Sequence, residues 1–270
     1  MVGSKGIGVA PGAKWIACMG MYGDIGGDDK SMLQCAQFML CPTKPDGTGA
    51  DCKKGPHVIN NSWGSTPGYN PWFEDAVTAW RAAGIIPVFG IGNDGPACGT
   101  VGSPDGYRNV IGVGAIGSYD NEPNLLAYFS SKGPELNNGA AYVKPDVSAP
   151  GFYTVSISSD SSYIKQAGTS MAAPHVAGVV AILKSVDPNM SYDQVYKYLT
   201  ATADQSPLNT TEPVTWNNVT RFRNKTFAGA PHCAGMKDTA WPNNRFGYCR
   251  VNVGTILRDG TLHDTRRSSC

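Results

Sequence analysis

No two of the eight cysteines stand at C-x-x-C spacing, which argues against a zinc ribbon and against thioredoxin-type chemistry. No apolar run approaches the ~18 residues of a membrane span, so no transmembrane helix is expected. Neither sign of charge prevails: 22 Lys and Arg stand against 21 Asp and Glu. That balance advertises neither nucleic acid nor an anionic membrane as a partner. The first residues, Met1-Val2-Gly3-Ser4-Lys5-Gly6, lack the apolar stretch and cleavage site of a secretory leader. Histidine is scarce, with only His57, His175, His232 and His263, and no internal repeat is visible.

What is present is a turn-rich globular chain of 270 residues with 33 glycines and 19 prolines, enough for one large domain or two small ones. An even number of scattered cysteines implies disulfides and an oxidising compartment. Sequons at Asn60, Asn189, Asn209, Asn218 and Asn224 agree with secretion. Short apolar runs alternate with amphipathic stretches, the pattern of an α/β fold with a parallel sheet. Strands are expected at 14–19, 58–63, 85–91 and 109–116. Helices are expected at 30–40, at 72–83 with Gly84 as C-terminal cap, at 171–184 and at 192–203. The 171–184 segment is apolar almost all round, so it belongs in the middle of a domain. From Asp204 to about Lys237 periodicity disappears, and a loop or irregular surface extension is expected.

Two motifs compete for a function. Gly112-Val113-Gly114-Ala115-Ile116-Gly117 reads as G-x-G-x-x-G after a strand. A dinucleotide site needs those glycines to open a helix, whereas Ser118 to Pro123 is a turn sequence, so the reading fails on context. The second motif is Gly168-Thr169-Ser170-Met171-Ala172-Ala173-Pro174-His175-Val176-Ala177-Gly178. Thr169 or Ser170 would serve as a plain N-cap there. A serine at the N-terminus of a buried helix also sits beside unpaired N–H donors in a positive field, a setting suited to a nucleophile.

This second string resembles the serine-nucleophile motif of the subtilases, the subtilisin-like serine proteases. Further segments resemble the same family in the same order: 8–13, 58–64, 92–95, 129–134, 144–151 and 241–248. Together the likeness spans about 6–203 and 238–257. It implies a doubly wound, mostly parallel α/β sheet with a buried central helix that starts at the nucleophile. The implied division is a catalytic part at 1–203 and a loop-rich C-terminal extension at 204–270, with a closing segment near 238–257.

The resemblance further implies peptide-bond hydrolysis through an acyl-enzyme on Ser170, with Asn93 donating to the oxyanion. Ser62, Trp63 and Gly64 match an edge that pairs with extended substrate. Gly92 and Gly102 match the pocket for the residue before the scissile bond. With no acid among Phe89, Gly90, Ile91 and Gly92, that pocket is expected to accept large apolar side chains. The expected partner is a polypeptide, with no nucleic acid and no membrane, and the protein is expected to be a secreted monomer. No cofactor and no metal ligand is implied; the family includes calcium binders, but no calcium site is identifiable in this sequence.

The family's D-[ST]-G and H-G-T-H motifs, which carry the other two triad members, occur nowhere in the 270 residues. Neither Asp24 nor Asp28 has the right context. Five residues of helix between Ser170 and His175 turn the two side chains about 140° apart, so His175 is expected to be structural. The chain therefore reads as an N-terminally truncated protease, inactive as it stands. A non-catalytic relative that grips extended peptides is the alternative.

Overall fold

The computed structural model describes residues 2–3, 6–22, 26–137, 139–160, 162–206, 208–220, 223–258 and 261–262. In chain order the elements are α1 (Asp29–Leu40), β1 (Val58–Asn61), α2 (Glu74–Ala82), β2 (Ile86–Gly90), β3 (Ile111–Ile116) and β4 (Glu135–Asn137). They continue with β5 (Ala140–Tyr142), β6 (Val147–Pro150), β7 (Thr154–Ile157), β8 (Tyr163–Gln166) and α3 (Thr169–Val186). Then come α4 (Tyr192–Ala201), β9 (Thr215–Thr220) and β10 (Arg223–Ala228).

The central sheet is parallel, in the order β1-β2-β3-β6. Every residue of β2 and β3 is buried, as strands covered on both faces must be. Alternation sorts their side chains. Val58, Ile86 and Val88 pack with the α3 and α4 residues Ala173, Val176, Val180 and Leu199. Ile59, Ile85 and Phe89 pack on the opposite face with Met32, Phe73, Val77 and Trp80 of the α1–α2 layer. The indole N–H of Trp80 donates to Ala36 O at 3.0 Å and so joins the two outer helices. Gly84, at φ +78°, closes α2 as its sequence implied.

Helix α3 has 18 residues and is long and apolar enough to cross a bilayer, contrary to the expectation that no such stretch exists. It is instead the core helix: Ala172, Ala173, Val176, Ala177, Val180 and Leu183 are all buried against the sheet.

Two further expectations fail. Residues 14–19 form no strand, and Trp15 and Met19 are 72% and 71% exposed. The run is apolar enough for a strand, but a strand exists through ladder hydrogen bonds, and this one makes none among the described residues. It lies across a hollow of about 340 Å³ from the free edge of β1, lined by Cys18, Met19, Met32, Ile59 and Trp63 among others. The 204–237 region is not irregular throughout: within it β9 and β10 pair as an antiparallel hairpin, with Thr215 opposite Ala228. Trp216 is buried, and the Phe227 ring stacks on Tyr128 at 6.1 Å, so the hairpin is attached to the body of the protein. The Gly112–Gly117 stretch lies in β3 and the turn after it, with no helix following.

Among the described residues three disulfides close: Cys18–Cys35, Cys41–Cys52 and Cys98–Cys233. Of the sequons, Asn189 and Asn209 are exposed, whereas Asn60 is half-buried in β1 and donates to Ser62 Oγ at 2.9 Å.

Candidate active site

The candidate residues meet where α3 begins. The C-terminal end of β1 runs into Ser62-Trp63-Gly64, and the end of β2 runs into Ile91-Gly92-Asn93; both segments flank the first turn of α3. Pro174 lies inside that helix and has no N–H, so the carbonyl of Ser170 has no partner four residues on. The hydroxyl of Ser62 takes its place, donating to Ser170 O at 2.9 Å. In return Ser170 Oγ donates to Ser62 O at 3.3 Å. The two serines thus tie the edge of β1 to the start of the helix.

Asn93 is held from its carbonyl end. Its Oδ1 accepts from Thr169 N at 2.9 Å and from Thr169 Oγ1 at 3.1 Å, and Thr169 Oγ1 also lies 3.3 Å from Gly92 O. With Oδ1 committed, only Nδ2 is left to act outward, and Asn93 itself is exposed. A second layer holds the loop: Ser131 N donates to Gly92 O at 3.1 Å, and Asp94 N donates to Ser131 Oγ at 3.1 Å. Thr169 and Ser131 were not singled out from sequence; the threonine was weighed only as a cap.

Trp63 departs from the other candidates. Its ring packs edge-on against Phe73 and Phe89, 5.2 and 5.5 Å away, so the side chain is part of the core layer. Its backbone and that of Gly64 form no backbone hydrogen bond among the described residues, and pairing resumes at Ser65 N, which donates to Ser103 O at 2.9 Å. Gly102 is buried; a Cβ there would stand 2.5 Å from Ser65 O.

Among the described residues, no imidazole is hydrogen-bonded to Ser170. His175 Nδ1 lies 2.8 Å from Met171 O, and burial holds its pKa below the usual histidine value. The Asp28 side chain accepts from Ser31 N as the cap of α1, and His232 Nδ1 stands 3.5 Å from Asp238 Oδ2. His57 is exposed beside β1. Asp24 and His263 lie outside the described residues. Among the described residues, no group of three or more His, Cys, Asp or Glu is placed to hold a metal ion.

Sequence reasoning missed Asp105. It is fully buried beside Gly64 and Gly92, its Oδ2 accepts from Gly102 N at 3.3 Å, and its Oδ1 has no hydrogen-bond partner. Burial pushes its pKa up to about 7, and neighbouring Glu135 is likewise raised to about 7 by burial. Between the unfolded carboxyl value near 4 and the folded value near 7, the folded state keeps protons that the unfolded chain has released. Stability therefore falls as pH rises through that window. Asp105→Asn is expected to flatten part of the fall, read from denaturant midpoints at pH 4, 5.5 and 7. A slope unchanged by the substitution would contradict the assignment.

The fold and this site define a doubly wound α/β protein with a hydroxyl, an amide and glycine-bearing loops gathered at the start of its central helix. The family model Peptidase_S8, described as the subtilase family, matches residues 2–248, and the chain belongs to that family. It is 38% identical over 209 residues to bacillopeptidase F of Bacillus subtilis (strain 168), a match that covers 75% of this chain and 14% of that protein. It is 39% identical over 153 residues to subtilisin DY of Bacillus licheniformis, covering 56% of this chain and 51% of that one. A solved protease structure from Pseudoalteromonas arctica PAMC 21717 superposes with a TM-score of 0.56 at 26% identity, over 70% of this chain and 56% of that chain. A solved psychrophilic protease designated S41 gives 0.55 at 27% identity, over 69% and 59%. The chain thus spans about half or less of the curated relatives named here.

Proposed function

We propose that this chain is the nucleophile-bearing part of a subtilisin-like serine endopeptidase. Ser170 is the acyl acceptor, and Asn93 Nδ2 with the Ser170 backbone N–H receives the negative charge that develops on the substrate carbonyl. Residues 62–64 pair with an extended polypeptide by strand addition, while Gly92 and Gly102 shape the pocket for the side chain before the scissile bond. The observation that supports this reading best is the hold of Thr169 on Asn93 Oδ1. It fixes a neutral donor beside Ser170 before any substrate arrives, which is how an oxyanion site lowers a barrier without reorganising.

Residues 1–203 are then the catalytic part and 204–270 an extension that braces it. The three disulfides and two exposed sequons among the described residues support an extracellular protein, which we take to be a monomer.

The alternative is a non-catalytic relative that binds extended peptides along the same edge; the unpaired backbone at 63–64 favours it as much as it favours a protease. A reading frame that extends this chain upstream with D-[ST]-G and H-G-T-H separates the two. Expressed as one protein, it is expected to cleave casein and to lose cleavage on Ser170→Ala. Peptide binding with no turnover at any dose would establish the alternative instead.

A further inference from the structure

Asp105 is buried against three glycines of the candidate site. A Cβ added to Gly64, on one wall of the cleft, would stand 2.8 Å from its Oδ1. One added to Gly92, on the other wall, would stand 3.4 Å from its Oδ2. At the floor, Gly102 N donates to the same Oδ2 at 3.3 Å. One carboxyl thus lies against Gly92 and Gly102 of the pocket and against Gly64 of the substrate edge, and the absence of a side chain at Gly64 and Gly92 is what lets it stand so close.

Only one oxygen of that carboxyl, Oδ2, is served by the fold. Oδ1 is buried and takes no hydrogen bond. The charged groups that face Asp105 are Glu135, which opposes its ionisation, and Lys144, which favours it. Lys144 is committed elsewhere, donating to Asp146 Oδ2 at 2.6 Å and to Val110 O at 3.2 Å. A buried carboxyl without a counter-ion is costly to ionise, and a cation delivered to it from outside is correspondingly favoured.

We propose that Asp105 is the specificity-determining residue of the cleft and that the polypeptide bound there presents lysine or arginine between residues 62–64 and 91–93. The inference rests on the reading of this cleft as a peptide site. It replaces the apolar preference inferred from residues 89–92, because those residues form one wall and the acid lies under the floor. Lysine and arginine suit the geometry: an aliphatic stem passes between glycine walls and a donor meets the free carboxyl oxygen. Because burial pushes the pKa of Asp105 up to about 7, arrival of a cation beside it favours release of its proton, whereas an uncharged side chain does not.

The test uses the chain of 270 residues and four tetrapeptide amides that differ only in a final Lys, Arg, norleucine or Phe. Calorimetry at pH 7 is expected to give Kd values at least tenfold lower for Lys and Arg than for norleucine, which has the lysine stem without the charge. Asp105→Asn is expected to bring the four within about twofold. Repeating the unmodified chain in buffers of different ionisation heat is expected to show proton release with Lys and none with norleucine. Should Asp105→Asn fail to fold by circular dichroism, that proton count decides alone. Norleucine and Phe bound as tightly as Lys, with no proton released, would overturn the inference and leave the peptide cleft standing. No binding by any of the four would remove the cleft reading and the inference with it.

Discussion

Residues 1–270 alone are expected to cleave no peptide at a detectable rate, and Ser170 is expected to resist a fluorophosphonate probe. Ser170 Oγ donates to the carbonyl of Ser62, and no imidazole or carboxylate is hydrogen-bonded to it among the described residues. A hydroxyl that attacks a carbonyl must lose its proton as it does so, and Ser62 O cannot take one. In subtilisin, loss of the serine or the histidine costs about 2 × 10⁶ in kcat, or roughly 8–9 kcal/mol of transition-state stabilisation. That magnitude is carried over from a relative. What would remain is the proposed oxyanion site at Asn93 and the start of α3, of order 10³–10⁴ over water. A chromogenic peptide assay and gel detection of the probe check both expectations. Robust cleavage abolished by Ser170→Ala would show that another residue supplies the base. His175 would then have to leave Met171 O, 2.8 Å away, and turn to the other side of its helix.

The sequence revealed elements whose identity is local. Helices α2 and α3 carry their own periodicity, and Gly84 marks an end through a backbone angle that only nearby residues determine. Ser170 and Asn93 were legible because each sits in a short, dense motif. What stayed hidden depends on contacts between distant segments. Residues 14–19 have the composition of a strand, but composition does not report whether a neighbour is present to complete the ladder. The β7–β8 hairpin is largely exposed, so no burial pattern marks it. Asp105 stands in Ser103-Pro104-Asp105-Gly106, which reads as an exposed turn, because aspartate there is ordinarily a surface residue. Part of what surrounds it is Gly64 and Gly92, 41 and 13 positions earlier in the chain.

Glu212→Ala is expected to destabilise the protein by about 3–5 kcal/mol, the usual cost of removing one partner from a buried ionic cluster. Glu212 Oε1 accepts from Lys132 Nζ at 2.6 Å, and its Oε2 lies 2.6 Å from Arg245 Nη2. The side chains of Lys132 and Arg245 are 1% and 0% exposed, so water cannot take over. Asp238, 3.1 Å from Arg245 Nη1, would remain as one carboxylate for two buried cations. Oε1 also accepts from Trp216 Nε1 at 2.9 Å and Ala230 N at 3.2 Å, so the hairpin loses its anchor in the same step. Burial already holds the Lys132 pKa below the usual lysine value against the upward pull of Glu212. Without that pull the amine sheds its proton more readily, which partly relieves the cost. Urea denaturation at pH 7 is expected to show a lower midpoint with an unchanged slope, and Glu212→Gln, which keeps an acceptor, a smaller loss. The effect should reach the site. Thr100 N donates to Lys132 O at 3.0 Å, and neighbouring Ser131 holds Gly92 and Asp94 around Asn93. Hydrogen exchange at Asp94 and Thr100 is therefore expected to rise in Glu212→Ala under conditions where α4 stays protected. A variant as stable as the parent would mean that the cluster gains no more from its charges than it loses by burying them.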